Sequence, residues 1–333
     1  MDTITHGLLG ATLGAALTPV AAARRKMALT CAVVAALPDA DLFFRSLIRH
    51  RAETHSFFYL TLAAPLLALL AKKWLWSKDE KISYRRLLVI VAAALFSHPL
   101  LDLLNSFGTR LFLPFSDRLD AIDAIAVVDP LFSLPLLFVG VFLMFNRVSL
   151  HKFQRVAVVA TLMWCGAYLG AGWYFGQRAL SVAPLQGAGL TRANPLIGTN
   201  LIWRCTQMNG RAATVVYVDA WRRRVLWTEH LTSDDTPRTR ALLNSPQLRD
   251  RLAHSGRAYV VRDDGERVYF RDLRHGWLSA PSRPLFTVQG EFDAAGNLTG
   301  TTGARRPFTW ERIRREIPLI VAVIGGGDLP CVQ

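Results

Sequence analysis

The chain has 333 residues, of which 51% are hydrophobic and 19% are charged, and its formal net charge is +14. This length favours two domains, and the composition lies on the membrane side of ordinary globular proteins. Four cysteines are too few for a disulfide framework, although Cys205 and Cys331, which lie in a soluble part of the chain, leave one pairing open.

Six apolar segments precede Gly176 and predict an α-helical integral membrane bundle in residues 1–175. Several are shorter than the about 20 residues that a perpendicular span needs, so the first three are expected to tilt or to insert partly. The second is interrupted by Pro38, Asp39 and Asp41. The six segments are His6–Val20, Met27–Phe44, Ser56–Ala71, Leu87–Leu104, Val127–Phe145 and Val156–Phe175.

Basic residues predict how the bundle lies in the membrane. They follow the first segment, at Arg24–Lys26, and they fill the connections between segments three and four and between segments five and six. By the positive-inside rule these connections are cytoplasmic, although Arg45, Arg49 and Arg51 oppose that orientation. The chain is therefore expected to cross a membrane several times, with its N-terminus and its C-terminal domain extracytoplasmic.

Residues 176–333 are predicted to form a soluble, β-rich extracytoplasmic domain. Asp264-Gly265 predicts a hairpin turn, and Pro237–His254 has the pattern of a helix. Ile317–Ile324 is apolar but far too short to span a membrane, so a core strand or helix is expected there. The predicted strands, rich in Val, Tyr, Trp and Phe, are Thr214–Val218, Arg224–Trp227, Ala258–Arg262, Arg267–Phe270 and Leu285–Gln289.

The most informative motif is Ser97-His98-Pro99-Leu100-Leu101-Asp102, inside the fourth apolar segment. His98 and Asp102 are four residues apart and therefore project from one face of a helix. Such a pair is costly in an apolar segment unless it is paired, protonated or bound to something. The alternative to a functional site is a membrane helix kinked at Pro99, with the polar pair satisfied by a neighbouring helix.

Further histidines and carboxylates recur at segment ends that the predicted topology brings to one membrane face. Each has an ordinary alternative, since Asp129 before Pro130 is typical of a helix cap and Pro38-Asp39-Ala40-Asp41 of a helix stop. Because all of them are predicted to lie at the same membrane face, a shared site is favoured. The candidate ligands are His6, Asp39, Asp41, His50, His55, His98, Asp102 and Asp129.

His50 and His55 pose a geometric condition, because residues five apart diverge by about 140° on a straight helix. A loop or a helix start must therefore intervene if both are to reach one site, and Thr54 is a plausible N-cap.

Histidine with carboxylate is the ligand chemistry of zinc, manganese or iron. One or two such ions, most simply zinc, suit the hydrolysis of an ester or phosphoester by activated water. One of Asp39, Asp41 and Asp102 would then act as the base, and the sequence does not distinguish among them.

The motifs MDTITHG, PDAD, HRAETHS, SHPLLDLLNSFGT and VVDP, in this order, resemble the YdjM-like family of membrane-bound metal-dependent hydrolases. The His/Asp pattern is also distantly similar to the zinc-dependent phospholipase C and nuclease group. The resemblance implies a hydrolase of the bacterial inner membrane whose substrate, a lipid among the options, is not identified. Ala52 departs from the family pattern, in which glycine usually follows the His-Arg pair.

Two other classes of function compete with the enzyme. Polar pairs also line the pathways of transporters and ion-handling proteins, but those sites usually lie near the membrane midplane. A non-catalytic, metal-dependent envelope scaffold is the third option. The expected partners are the lipid bilayer and a lipid or phosphoester substrate, and no nucleic acid is expected because the arginines of the second domain carry no binding motif.

Overall fold

The computed structural model describes residues 1–18, 20–44, 50–76, 82–145, 151–305 and 309–329. Arg45, Arg49 and Cys331 lie outside these ranges. The chain divides into two compact units, one of residues 1–122 with 127–170 and the other of residues 123–126 with 171–333. The boundary predicted between residues 175 and 176 falls inside a single helix, His151–Val182.

The first unit is helical, and a helix is present at each of the six predicted segments. Four segments, Arg24–Phe44, Phe57–Trp74, Tyr84–Leu103 and Val156–Val182, are long and apolar enough to cross a membrane, whereas two are shorter. Six membrane crossings therefore stay a prediction. The helices are α1 Thr3–Leu17, α2 Arg24–Ala36, α3 Phe57–Trp74, α4 Tyr84–Leu103, α5 Pro130–Phe145 and α6 His151–Val182, and a 3-10 helix, Leu37–Phe44, continues α2.

Small residues let α1 approach α2 closely. A Cβ atom added at Gly14 would lie 2.7 Å from Cβ of Cys31, and one at Gly10 would overlap the Cys31 carbonyl oxygen and Cβ of Ala35. Glycine at such positions allows helix backbones to come together in an apolar environment. This contact brings the N-terminal end of α1, with His6, next to the C-terminal end of α2.

The second unit contains two four-stranded antiparallel sheets, in the order β1-β2-β3-β4 and β5-β6-β7-β8. The predicted β-rich character is confirmed, and Gly265 forms the expected β5–β6 turn with φ +88. The predicted helix at 237–254 is split into two short helices. The elements are β1 Leu190–Pro195, β2 Ile202–Asn209, β3 Ala212–Asp219, β4 Arg224–Thr232, α7 Pro237–Leu243, α8 Arg249–Ser255, β5 Tyr259–Asp263, β6 Val268–Asp272, β7 Phe286–Phe292, β8 Leu298–Arg305 and α9 Trp310–Gly325.

Strands β1, β2 and β8 were not predicted, because their sequences lack the apolar pattern of a strand. In β2, Arg204 is buried and donates hydrogen bonds to the carbonyls of Leu273 (2.6 Å) and Pro281 (3.0 Å) and to the hydroxyl of Tyr217. Cys205 on the same strand is a free, buried thiol, and burial raises its pKa to about 12.

Candidate metal centre

Four side chains from three segments meet in the interior of the helical unit. His98 and Asp102 come from the last turns of α4, one turn apart, as their spacing predicts. Asp39 comes from the 3-10 helix that follows α2, and His55 ends a short 3-10 helix, Glu53–His55, just before α3. All four are buried, with His55, His98 and Asp102 fully inaccessible.

One nitrogen or oxygen atom from each of these four residues points toward a common centre. The two Nε2 atoms of His55 and His98 are 2.9 Å apart. Oδ2 of Asp102 lies 3.4 Å from Nε2 of His55 and 3.8 Å from Nε2 of His98. Oδ1 of Asp39 lies 3.7 Å and 3.5 Å from the same two nitrogens. Ligands about 2.0–2.1 Å from a tetrahedral zinc ion are about 3.3 Å from each other, so these separations suit one ion at the centre.

The hydrogen bonds of the two rings identify which nitrogens carry protons. Nδ1 of His98 lies 2.6 Å from the carbonyl oxygen of Ala35, which can only accept, so this nitrogen is the donor. Nδ1 of His55 lies 2.9 Å from the hydroxyl of Thr54, and that hydroxyl donates its own proton to Asp41. Both neutral rings therefore present Nε2 lone pairs to each other, which is repulsive unless a cation or a proton lies between them.

The carboxylate of Asp102 supports the same conclusion. Its Oδ2 atom is buried and has no hydrogen-bond partner among the described residues. A buried, unsatisfied carboxylate oxygen is rare in folded proteins, and a bound ion is one of the arrangements that accounts for it. Burial opposes the charged form of the His55 imidazole, but the nearby carboxylates of Asp102 and Asp39 raise its pKa, which shows how strongly this site favours positive charge.

The other oxygen of Asp102 is held by a shell of donors. Oδ1 accepts hydrogen bonds from Nη2 of Arg51 (3.1 Å) and Nδ2 of Asn105 (3.0 Å), and the amino group of Met1 contacts it as well. Arg51 is itself fixed by a 3.0 Å hydrogen bond to Oδ1 of Asn105. These donors balance part of the carboxylate charge and turn Oδ2 toward the centre, as outer-shell groups do at metal sites.

His6 lies beside this centre rather than within the four converging atoms. Its Nε2 donates to Oδ1 of Asp102 over 3.2 Å, and its ring stacks on His98 with 3.6 Å between centroids. His6, His98 and Asp102 together also present ligand atoms within 4.8 Å of one another, as do Asp39, His50 and His55. The two groups share no residue, and the four central atoms take two residues from each of them, His98 and Asp102 from the first and Asp39 and His55 from the second.

Sequence comparison identifies the helical part of the chain. Residues 1–179 match the model of the YdjM inner membrane protein family. This range is more than half of the chain and includes every residue of the cluster. The chain belongs to the YdjM family. No curated protein and no solved structure matches it.

In this YdjM chain, Asp41 and His50 form the edge of the site nearest to solvent. Nδ1 of His50 lies 2.7 Å from Oδ1 of Asp41, and the His50 side chain is 30% exposed. Oδ2 of Asp41 accepts from the Thr54 hydroxyl (2.6 Å) and from the backbone N–H of Arg51 (3.3 Å). Asp41 therefore organises the segment that carries His50 and His55.

Two sequence-based expectations about this YdjM site need correction. Asp129 does not join the histidines: its carboxylate accepts from the backbone N–H of Leu131 (3.2 Å) and from the Tyr168 hydroxyl (2.8 and 2.9 Å), so it caps α5. Thr54 is not the N-cap of α3, because Ser56 occupies that position. The Thr54 hydroxyl donates to Asp41 instead, so in both cases a partner elsewhere in the chain decides the role of the residue.

Sequence reasoning also missed two residues of the site. The sequence pattern assigns Arg51 only an effect on topology and assigns Asn105 no role in the site. A signal was present for each, since Arg51 directly follows His50 and Asn105 lies three residues beyond Asp102 in the family motif. Arg51 has φ +60, a conformation that is uncommon outside glycine and that aims its side chain from a sharp bend.

Proposed function

We propose that this protein is a membrane-bound, metal-dependent hydrolase that cleaves an ester or phosphoester. The observation that carries the proposal is the pair of Nε2 lone pairs 2.9 Å apart, beside an unsatisfied oxygen of Asp102. His55, His98, Asp39 and Asp102 would hold the ion, and zinc fits two imidazoles with two carboxylates, as manganese or iron would. When bound, such an ion lowers the pKa of a water and polarises the oxygen of an ester.

The chain itself supplies a proton acceptor next to this centre. Asp39 and Asp102 are committed to the four converging atoms, whereas Asp41 faces His50 at the partly exposed edge. A carboxylate that orients a histidine can pass a proton to solvent through the ring. We therefore assign the role of base to the Asp41–His50 pair, which narrows the three carboxylates that the sequence left open.

A lipid is the substrate class that the surroundings favour. Phe43 and Phe44 follow Asp41 directly along the chain and are 87% and 53% exposed. Large exposed aromatic side chains on a protein in a bilayer lie against lipid or an apolar ligand. Asp41, which these residues follow, contacts His50, so a lipid ester held against Phe43 and Phe44 would be offered to this edge of the site.

The decisive experiment measures metal and activity in the same samples of full-length protein. His98→Ala and Asp102→Asn should lose bound metal, measured by elemental analysis, and should lose hydrolysis of a generic phosphodiester, an aryl ester and phospholipid vesicles. Asp129→Asn is the matched control, because it removes a buried carboxylate of the same unit that lies at the α5 cap. Full metal occupancy in both cluster variants would contradict the proposal, and so would wild-type protein that binds metal yet hydrolyses none of the three substrates.

A further inference from the structure

The last helix, α9, carries one buried and one exposed face, although it belongs to the β-rich unit. On the buried face, Val323 packs in the core, and the Glu316 carboxylate accepts hydrogen bonds from the backbone N–H groups of Leu278 (3.1 Å) and Ser279 (3.0 Å). These contacts fix the rotation of the helix. The exposed face is therefore a defined surface and not the result of a loosely attached helix.

The exposed face is an apolar stripe. Trp310, Ile317 and Val321 are 66%, 55% and 64% exposed, and their spacing of seven and then four residues keeps them on one side of the helix. Single exposed apolar residues are normal on a protein surface, but a continuous stripe along a helix marks an interaction site.

Basic and aromatic side chains stand together at the N-terminal half of this stripe. The guanidinium of Arg314 lies 5.5 Å from the ring centroid of Trp310, and Arg315 pairs with Glu311 at 2.6 Å on the solvent side. Tryptophan with arginine is the combination typical of a membrane interface, where the ring enters the headgroup layer and the cation meets lipid phosphates.

The C-terminal end of α9 is attached to a part of the unit that adjoins a candidate membrane span. Arg224, after the β3–β4 turn, donates hydrogen bonds to the carbonyls of Val323 (2.9 Å) and Gly327 (2.6 Å). In the same turn the carbonyl of Trp221 accepts from Arg178 of α6, at 3.3 Å.

Exposed aromatic residues lie close to Arg178, both on α6 and in the turn that Arg178 contacts. Trp173 and Tyr174, in the last part of the span Val156–Val182, are 59% and 52% exposed, and Trp221 is 54% exposed. Such residues collect where the acyl chains of a bilayer give way to headgroups. The turn that holds the end of α9 therefore lies at the depth where a headgroup layer would begin.

From these observations we infer that α9 binds the surface of a lipid bilayer. Trp310, Ile317 and Val321 enter the boundary between headgroups and acyl chains, and Arg314 meets the phosphates of anionic lipids. The contact is independent of the proposed hydrolase activity, because it involves no residue of the metal centre.

Site-directed spin labelling of the full chain in vesicles tests this contact. Labels at Ile317→Cys and Val321→Cys are placed in a Cys331→Ser background, in which the other cysteines, Cys31, Cys165 and Cys205, are buried. In vesicles that contain anionic phosphatidylglycerol, both labels should collide more often with oxygen than with a water-soluble relaxation agent. A label at Glu266→Cys, in the β5–β6 turn with its side chain 80% exposed, should show the reverse.

Charge and lipid composition sharpen the test. Arg314→Glu, or vesicles of zwitterionic lipid alone, should shift both α9 labels toward the aqueous value, because the attraction to phosphate is lost. Aqueous values at both α9 positions in anionic vesicles would overturn the inference. Strong spin–spin broadening between copies that does not depend on lipid composition would also overturn it, by showing that a second copy of the chain covers the stripe.

Discussion

Both units bury charged side chains, and the two treat them differently. In the β-rich unit, the guanidinium of Arg274 donates to both carboxylate oxygens of Asp272, over 3.0 Å and 2.7 Å, and the buried Glu316 accepts two backbone N–H groups. In the helical unit, the cluster around Asp102 leaves an oxygen unsatisfied and two nitrogen lone pairs face to face. A buried charge whose hydrogen bonds are all made has a structural role. Buried acceptors that converge without donors indicate a site for a cation.

The largest expected effect on activity concerns the unsatisfied cluster around Asp102. Removing metal with a chelator should lower the thermal stability of the wild type, because an ion present at 100 times its dissociation constant contributes about 2.7 kcal/mol. Asp102→Asn should abolish this difference and reduce hydrolysis to background. Differential scanning fluorimetry with and without chelator measures the first effect. A chelator shift of equal size in Asp102→Asn would place the ion elsewhere.

The buried Asp272–Arg274 pair should affect stability and leave metal binding unchanged. Arg274→Ala leaves the carboxylate of Asp272 buried without its partner and should cost about 3–5 kcal/mol in the free energy of unfolding. Metal content per folded molecule should not change. Chemical unfolding in detergent gives the first quantity and elemental analysis the second. If folded Arg274→Ala protein lost its metal, the Asp272–Arg274 pair would also contribute to metal binding, and the contrast with the Asp102 cluster would be wrong.

Arg51 lies between these cases, because it satisfies one oxygen of Asp102 while the other oxygen faces the proposed ion. Arg51→Met should weaken metal binding about 10–100-fold, the range typical of outer-shell partners. Arg51→Lys, which keeps the charge but cannot reach Asp102 and Asn105 together, should fall between Arg51→Met and the wild type. Competition with a fluorescent chelator measures the affinities. Equal affinity in all three proteins would show that Arg51 acts only on folding.

The smallest expected effect is a dependence on pH that belongs to the buried Asp272–Arg274 pair. Burial alone would raise the pKa of the Asp272 carboxyl, but the Arg274 guanidinium and its hydrogen bonds hold that pKa below 3.8. The unfolded chain therefore binds a proton first, so this stability is fully present above pH 3.8 and is lost as pH falls through the lower folded value. Acid unfolding of the wild type should be steeper below that pH than that of Asp272→Asn. Identical acid profiles would show that the pair adds no stability that depends on pH.

Sequence periodicity predicts local structure well where the apolar pattern is strong. It identifies a helix at all six apolar segments and the strands from β3 to β7, and the spacing of His98 and Asp102 predicts their common helix face. It fails at β2, where Arg204 is buried against carbonyl groups that come from a distant part of the chain. A local sequence pattern cannot predict hydrogen-bond acceptors that lie about 70 residues away in the chain.

The sequence alone determined the apolar helices, the β-rich second unit and the types of residue that form the candidate site, because hydropathy and residue chemistry act locally. Tertiary structure decided which of those residues meet. His6 meets Asp102 across 96 residues of sequence, and His55 meets His98 across 43. Asp129, an equal candidate by residue type, is directed to the α5 cap by Tyr168, since ligand geometry depends on distances that only the folded chain sets.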